Sequence, residues 1–514
     1  MRTTLLLLVL IAGMLGACTS LPDKTPRPAR EDAVLAAADT AFAPIEASIR
    51  AQDGPDASGF MLLDSNEQGL TWRLALIDSA RHSLDLQYYV WFGDAGGVLL
   101  MKRVVQAAKR GVKVRIIVDD LSSMLRDMTT PEVRDSIVAA IDAHPNIEVR
   151  LFNAWRHRSL LGRAADSLAD LKRANQRMHN KVMIADNQAV ILGGRNIGDE
   201  YLGLNPAFNF HDLDVLGIGP VARQASTVFD RFWNSEWAVP AASLGLAATP
   251  QDLDRLAGPV REQLAAAPSL ARFPRDAQDW SDTLAQLPGK LQRGTSRVYT
   301  DTPDHDAIAH HMAAAFRDLF THARHEVLVT NAYIIPGPRA IQALSDLNAR
   351  GVEVRILTNS LASHDVPAVN SHYEEWRKPI LQTGAKLYEI RPDAAIKASL
   401  ADTAPTRGAF MGLHTKAMVI DRRRVFIGSM NLDPRSGAIN SEMGVVVESP
   451  GLARTLAATM ERDMQPANSW QVELDAAGQL RWVAGDQVLT AQPARNAMQR
   501  IENVVFKAFP KDIY

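Results

Sequence analysis

A short pattern that occurs twice holds the residues of this sequence best suited to chemistry. Each copy has a histidine, a lysine two residues later and an aspartate five residues after the lysine: His179, Lys181 and Asp186 in the first copy, His414, Lys416 and Asp421 in the second. An asparagine follows each copy at the same distance, Asn196 in the first and Asn431 in the second. Because the chain has only 13 histidines in 514 residues, two copies in register indicate an internal repeat rather than two unrelated polar turns.

The spacing within each copy has a geometric reason. Apolar residues follow each lysine, and Asp186-Asn187 is typical of a turn between two short strands. Residues i and i+2 of a strand point to the same face, so the histidine and the lysine of each copy project together. The aspartate lies across the turn and is better placed for structure than for attack.

Two imidazoles and two ammonium groups that converge on one centre can transfer a phosphoryl-type group. One neutral imidazole can attack phosphorus while the other, protonated, gives its proton to the leaving alkoxide. The two lysines, with Asn196 and Asn431, can hold the non-bridging phosphate oxygens as charge develops. Because fixed cations do the neutralising, we expect no metal ion and no cofactor.

The elements around the two copies also repeat, which predicts two α/β lobes over 56–240 and 296–465. In each lobe a β-branched strand, an amphipathic helix and a second strand precede the motif, and this order indicates a mixed sheet flanked by helices. Residues 241–295 match neither lobe and predict a helical connector. Residues 466–514 predict a hairpin followed by an amphipathic helix with one apolar face: Ala497, Met498, Ile501, Val504, Val505, Ala508 and Phe509. That helix can lie in a membrane interface or pack on its own domain.

The paired motifs resemble the HKD motifs of the phospholipase D superfamily. The residues that flank them, 193–201 and 428–436, are similar to the cardiolipin synthase branch, and most of all to its C-type members. The resemblance implies two phospholipase D-like lobes related by a pseudo-twofold axis, with one active site between them. It also implies a phosphohistidine intermediate, with His179 as nucleophile and His414 as general acid/base, or the reverse. Asp212 and Glu442 stand where the family has acids that orient the histidines, although a surface salt bridge is the competing interpretation.

The branch implies a phosphatidyltransferase that makes cardiolipin. Phosphatidylglycerol would be the acceptor, the donor would be phosphatidylethanolamine or a second phosphatidylglycerol, and a helper protein is sometimes required. A phospholipase D that releases phosphatidic acid is the alternative, because water can replace the acceptor. A nucleic-acid phosphodiesterase is disfavoured, because the formal net charge of -2 shows no basic excess. A lipid-binding protein without catalysis is disfavoured because both motifs are complete.

The N-terminal residues predict that the protein is located at the bacterial envelope. Residues 1–17 have one positive charge and a short apolar run, as in a secretory signal, and the run is too short to span a bilayer. Small residues before the lone cysteine, Cys18, resemble a lipobox, which implies cleavage there and lipidation of Cys18; an ordinary signal peptide is the alternative. Residues 18–55 predict a tether. We therefore expect a lipoprotein that faces the periplasm from the inner or the outer membrane.

Overall fold

The computed structural model describes residues 29–123, 131–155, 157–305 and 307–507, and these form two similar lobes and a C-terminal extension. The strands of the first lobe are β1 Ser58–Leu63, β2 Ser83–Tyr88, β3 Lys113–Asp119, β4 Ile147–Phe152, β5 Lys181–Ala185, β6 Ala189–Gly193, β7 Phe208–His211, β8 Asp214–Ile218 and β9 Ala238–Pro240. Its helices are α1 Ala43–Asp53, α2 Asn66–Ser79, α3 Ala95–Lys109, α4 Pro131–Asp142, α5 Leu160–Ala169, α6 Leu171–Asn175 and α7 Pro220–Trp233. The predicted secretory signal and Cys18 lie outside the described residues.

The remaining strands and helices belong to the connector, the second lobe and the C-terminal extension. The connector holds α8 Pro250–Ala265 and α9 Ser281–Gln286. The strands after it are β10 Gln292–Thr300, β11 Thr302–Pro303, β12 Ile308–Ala309, β13 Glu326–Asn331, β14 Glu353–Asn359, β15 Lys386–Ile390, β16 Phe410–Leu413, β17 Lys416–Ile420, β18 Arg424–Gly428, β19 Met443–Glu448, β20 Ser469–Leu474, β21 Leu480–Ala484 and β22 Gln487–Leu489. The helices are α10 Met312–Thr321, α11 Pro338–Ala349, α12 Pro367–Tyr373, α13 Arg377–Gln382, α14 Pro434–Ala438, α15 Pro450–Asp463 and α16 Ala497–Phe506.

One continuous mixed sheet of 18 strands runs through both lobes. The lobes meet where β1 and β10 pair in antiparallel fashion, Ser58 opposite Gly294. From that seam outward the first lobe has the order β1-β8-β6-β5-β2-β3-β4-β9. The second lobe has the equivalent order β10-β19-β18-β17-β13-β14-β15-β20. The predicted pair of similar α/β lobes in a pseudo-twofold arrangement is therefore confirmed.

A shared hydrophobic core fixes the two lobes relative to each other. Phe229 and Trp233 of α7 and Leu452 and Leu456 of α15 belong to one buried cluster that lies over the seam. Strands β5, β6 and β8 beneath it are buried at every residue, whereas most of the seam strand β10 is half-buried or exposed. Fully buried strands of this kind need helices on both faces, which explains their near-continuous apolar sequence.

A second, much smaller sheet joins the lobes beside the core. Strand β7 of the first lobe pairs in parallel with β16 of the second, so that Phe208 lies opposite Phe410 and His211 opposite Leu413. The ring of Phe208 stacks on that of Phe410, with centroids 5.2 Å apart. This sheet delivers the chain directly into the second motif, because His414 follows β16.

Residues 29–55 do not form the tether that their composition predicts. Phe42 and Ile49 are fully buried in the core of the first lobe, and α1 brings Ile45 there as well. Ahead of α1, the backbone N–H groups of Glu31 and Ala33 donate to the side chains of Asn234 and Asp230. Prolines and alanines suggested a solvated spacer, but the apolar side chains at helical spacing give this segment a buried face.

Strands of the main sheet also define where the connector ends and how the C-terminal extension begins. Residues 292–295, assigned to the connector, already belong to β10. The predicted hairpin is formed by β20 and β21, which extend the sheet of the second lobe past β15. No helix within the described ranges is long and apolar enough to cross a membrane.

The docked N-terminal segment makes a prediction about stability. The Ile49→Ala variant should lower the free energy of unfolding by about 2–5 kcal/mol, because it leaves a cavity in a closed core. Leu35→Ala is the matched control, since Leu35 is 85% exposed and its truncation removes no buried contact. Thermal or chemical denaturation of the two variants measures the difference. Equal stabilities would mean that the segment is a tether after all.

Candidate active site

Both motif histidines lie at the seam, and each is held there by the backbone of the opposite lobe. The N–H of His179 donates to the carbonyl of Ser441, 2.9 Å away. The N–H of His414 donates to the carbonyl of His211 over 2.8 Å. The two lysines begin strands β5 and β17, so each histidine lies just ahead of its strand, whereas the spacing predicts that it lies within the strand. The site is therefore built from both halves of the chain.

Each histidine pairs with the carboxylate of the other lobe. Nδ1 of His179 lies 2.9 Å from Glu442, and Nδ1 of His414 lies 2.6 Å from Asp212. Both acids are fully buried, so they are not part of a surface salt bridge. A carboxylate that accepts from Nδ1 fixes the tautomer and leaves Nε2 with its lone pair. The pairs thus present two Nε2 atoms that can attack or carry a proton.

The histidines are poised in their neutral form. Burial, together with the cations Lys181 and Lys416, lowers the pKa of His179 well below its usual value. Burial and Lys416 lower the pKa of His414 to about 4, although Asp212 opposes the shift. A neutral imidazole is the nucleophilic form. Both histidines are almost completely shielded from solvent, with His179 8% exposed and His414 5% exposed.

The pKa values of the two orienting acids shift in opposite directions. Burial raises the pKa of Glu442 well above its usual value. Burial also opposes ionisation of Asp212, but the adjacent His414 and Lys416 outweigh it, so the pKa of Asp212 lies below its usual value. The lowered pKa of Asp212 means that an ionised partner can stabilise the imidazolium of His414, whereas burial weakens such support from Glu442 to His179.

The lysines are buried cations that are positioned to bind an anion. Lys181 donates to the carbonyl of His179 over 2.7 Å, and Lys416 donates to the carbonyl of His414. Burial lowers the pKa of Lys416 to about 8, and burial lowers the pKa of Lys181 well below its usual value. A phosphodiester bound between them would favour the charged forms, so the lysines are suited to hold non-bridging oxygens.

The two asparagines that follow the motifs are buried. Asn196 and Asn431 are 2% and 4% exposed, and within the described residues their Oδ1 atoms accept no hydrogen bond. The backbone around Asn431 is held by Asn331, which donates to the carbonyl of Met430 and accepts from the N–H of Leu432. Their amide groups can therefore turn to a phosphate oxygen without breaking an existing bond to Oδ1.

The motif aspartates lie at the far end of their strands and touch neither histidine. Asp186 accepts from the backbone N–H groups of residues 81–83, and Asp421 accepts from those of residues 324–326. Asp186 and Asn187 have positive φ angles of 53° and 54°, as a tight turn between β5 and β6 requires. Although the motif contains them, Asp186 and Asp421 are therefore not placed to act on the reacting atoms. They are positioning residues that lock β5 and β17 against their neighbours.

Several residues that sequence reasoning missed support the histidines. Ser429 donates to Glu442, and the equivalent place in the first lobe is Gly194, where a Cβ would lie only 2.6 Å from Asp212. Asp119 accepts from the N–H of Met178 over 2.8 Å and so fixes the residue before His179. The sequence does contain a signal for this difference. The last residue of β6 and the residue after it are Gly-Gly, whereas those of β18 are Gly-Ser, and the smaller residue marks less space beside the acid of the first lobe.

Aromatic rings close the sides of the site. Tyr89 meets the ring of His179 edge-on at 5.1 Å, and Tyr201 meets that of His414 at 5.2 Å. Tyr333 lies 6.5 Å from His414 by ring centroids and 5.8 Å from Nζ of Lys416. These rings lower the local polarity around the histidines, which strengthens every charge interaction with a bound phosphate.

Comparison with known proteins agrees with this geometry. The family described as "Cardiolipin synthase, PLD-like domain" matches residues 74–233 and 316–464, one match in each lobe and together more than half of the chain. The chain is 33% identical to cardiolipin synthase C of Escherichia coli (strain K12), over 87% of this chain and 94% of that protein.

The chain belongs to the cardiolipin synthase family of phospholipase D-like proteins. The predicted family and the predicted enzyme class, a phospholipase D-family phosphatidyltransferase, are confirmed. The major cardiolipin synthase of Bacillus subtilis (strain 168) is 24% identical over 78% of this chain and 67% of that protein. The fold also resembles phosphatidylserine synthase of Haemophilus influenzae Rd KW20, with a TM-score of 0.51, 13% identity, and coverage of 82% of this chain and 90% of that one.

The charge states of the site predict a one-sided pH profile. Lys416 loses its proton as pH rises through about 8, so kcat/KM should fall above that pH. It should not fall as the pH drops from 8 to 6.5, because the pKa of His179 lies well below 6.5 and the nucleophilic ring stays neutral in that range. The measurement is kcat/KM for a short-chain phospholipid between pH 6.5 and 9.

Two conservative variants identify the ammonium that sets this limit. Lys416→Arg and Lys181→Arg keep their charge above pH 9, so the variant at the limiting position should lose the decline. Wild-type kcat/KM that keeps rising to pH 9 would contradict the need for charged lysines.

Proposed function

We propose that this member of the cardiolipin synthase family makes cardiolipin by phosphatidyl transfer. The acceptor is the glycerol hydroxyl of phosphatidylglycerol, and the donor is phosphatidylethanolamine or a second phosphatidylglycerol. The observation that carries the proposal is the pair of cross-lobe histidine–acid contacts beside two buried lysines. The names of the two relatives described above support a lipid substrate, since both are cardiolipin synthases.

The first half-reaction forms a covalent intermediate. Nε2 of His179 attacks the donor phosphorus, and the bond between phosphorus and the headgroup oxygen breaks. The negative charge of the bound phosphodiester favours protonation of His414, and the resulting imidazolium gives its proton to that oxygen, so that the headgroup alcohol leaves. Lys181 and Lys416 bind the non-bridging oxygens, whose charge grows in the transition state.

The second half-reaction reverses these roles. Neutral His414 takes the proton of the acceptor hydroxyl, whose oxygen attacks phosphorus and displaces Nε2 of His179. The products are cardiolipin and the free enzyme. No external co-reactant is consumed, because one phosphodiester replaces another.

The unequal acids support this assignment of the histidines. The general acid must become imidazolium, and His414 has the ionised partner, Asp212, that stabilises that state. Burial raises the pKa of Glu442 and lowers that of His179, so protonation of His179 is disfavoured and its ring remains available for attack. Hydrolysis to phosphatidic acid uses the same intermediate and is the outcome expected if water reaches it before the acceptor. The low exposure of both histidines limits the access of bulk water to the intermediate.

The surroundings of the reaction remain proposals from the sequence. Lipidation of Cys18 would place the enzyme on a membrane of the bacterial envelope, facing the periplasm. Two or more acyl chains would anchor it stably there. The in vivo experiment below also tests whether the enzyme needs a helper protein.

Lipid mass spectrometry of a bacterial host without its own cardiolipin synthases tests the proposal. Wild-type protein should restore cardiolipin, and the His179→Ala variant should not, because it lacks the nucleophile. Asp186→Asn is the comparison variant for a positioning residue and should retain part of the activity. Phosphatidic acid without cardiolipin would identify a hydrolase. No lipid change from a folded wild-type protein would reject cardiolipin formation by this chain alone.

A substrate with a good leaving group tests which histidine is the nucleophile. Phosphatidyl-p-nitrophenol needs no general acid, so the His414→Ala variant should release about one p-nitrophenol per enzyme and then stop at the phosphohistidine. The His179→Ala variant should release none above background. Rapid-quench absorbance and mass spectrometry of the protein measure both events. The opposite pattern would exchange the two roles.

A further inference from the structure

Helix α16 turns its apolar face outward. Met498, Ile501, Val504 and Val505 are 61%, 56%, 65% and 54% exposed. The buried residues of the same helix are polar, Gln499 at 3% and Asn503 at 2%. This is the reverse of the usual arrangement, in which an amphipathic helix buries its apolar stripe.

Directional hydrogen bonds hold the helix in this orientation. Gln499 donates to the carbonyl of Leu361. Asn503 donates to Glu374 over 2.9 Å and accepts from Asn370 over 2.7 Å. Rotating the helix to bury its aliphatic residues would leave these buried polar partners unsatisfied, which is unfavourable. The outward apolar face is therefore built into the fold.

The N-terminal end of the helix lies beside the active site. Arg495, just ahead of it, stacks over the ring of Phe410, 3.7 Å from its centroid, and Phe410 opens the strand that leads to His414. Arg495 also donates to the carbonyls of Ala362 and His364. Next to His364, Asp365 accepts from the hydroxyl of Tyr333, the ring that faces His414 and Lys416.

The first lobe carries a second exposed apolar set on α5 and α6. Leu161, Leu168 and Leu171 are 84%, 76% and 61% exposed. Helix α6 ends four residues before His179, and its Asn175 carbonyl accepts from Arg435 of the second lobe. Both exposed apolar sets therefore belong to segments that adjoin the catalytic histidines, one in each lobe.

We propose that α16, together with Leu161, Leu168 and Leu171, docks on the surface of a phospholipid bilayer that contains anionic lipid. This rests on the proposed function, in which both substrates are membrane lipids that must reach two deeply placed histidines. Exposed aliphatic side chains suit the boundary between headgroups and acyl chains, and a helix with one such face lies in its plane. The exposed cations Arg500 and Lys172 flank the two sets and complement anionic headgroups.

Site-specific fluorescence tests the docking without relying on catalysis. The full chain with Cys18→Ser has no other cysteine, so Ile501→Cys places an environment-sensitive dye on α16 alone. Vesicles of phosphatidylethanolamine and phosphatidylglycerol should shift its emission to the blue, and brominated acyl chains should quench it. Val488→Cys is the matched control, because Val488 is 52% exposed on β22, and its dye should not respond. No response at position 501 would overturn the docking, whatever the enzyme's activity.

Other occupants of the face give different results in the same experiment. A second copy of the chain would shift the dye without vesicles and in proportion to protein concentration. The segment after residue 507 would shift it without vesicles at every concentration. Either outcome overturns the bilayer proposal.

Activity on two forms of substrate links the face to function. Ile501→Glu combined with Val504→Glu should lower the rate on vesicles about tenfold or more, because charges oppose insertion into the interface. The rate on a monomeric short-chain phospholipid should stay within about twofold of wild type, which also shows that the variant is folded. Val488→Glu should change neither rate. If the wild type processes neither lipid, the proposed function fails while the fluorescence result still stands.

Discussion

The exchange of carboxylates between the lobes is the constraint on which the rest of the structure depends. Asp212 of the first lobe orients His414 of the second, and Glu442 of the second orients His179 of the first. A hydrogen bond of 2.6 to 3.0 Å tolerates little displacement. The lobes must therefore hold one relative position, to within a fraction of an ångström, across the line where they meet.

Three features of the fold meet that demand. The sheet continues through the seam by the pairing of β1 with β10, helices α7 and α15 share one core above it, and β7 pairs with β16 beside it. A buried ion network reinforces the first lobe near Asp212. Within it, Arg195 contacts Asp214 and donates to the carbonyl of Asp212. Rigid, close-packed surroundings of this kind allow a site to be organised before the substrate arrives.

Much of the site follows from local sequence, because it depends on short-range rules. The two-residue spacing of His179 and Lys181 indicates a shared strand face, and the repeat at His414 and Lys416 indicates a second contributor to the same centre. Which acid meets which histidine is a matter of long-range topology. Nothing near Glu442 distinguishes a partner at position 179 from one at 414, so the exchange becomes visible only in three dimensions.

Two other features escaped sequence reasoning for different physical reasons. Average composition hid the buried positions of Phe42 and Ile49, since prolines and alanines nearby suggested a spacer. Periodicity revealed two faces on α16 but not which of them is buried. That depends on whether Gln499 and Asn503 find partners in the neighbouring helix and loop, and they do.

The exchange of carboxylates also governs when in its lifetime the protein can act. Glu442 lies in the last sixth of the chain and α15 follows it, so the first motif is incomplete while the ribosome is still making the second lobe. A half-made or proteolytically shortened chain keeps one histidine without its acid and one acid without its histidine. Lipid chemistry is thereby withheld until synthesis of both lobes is finished.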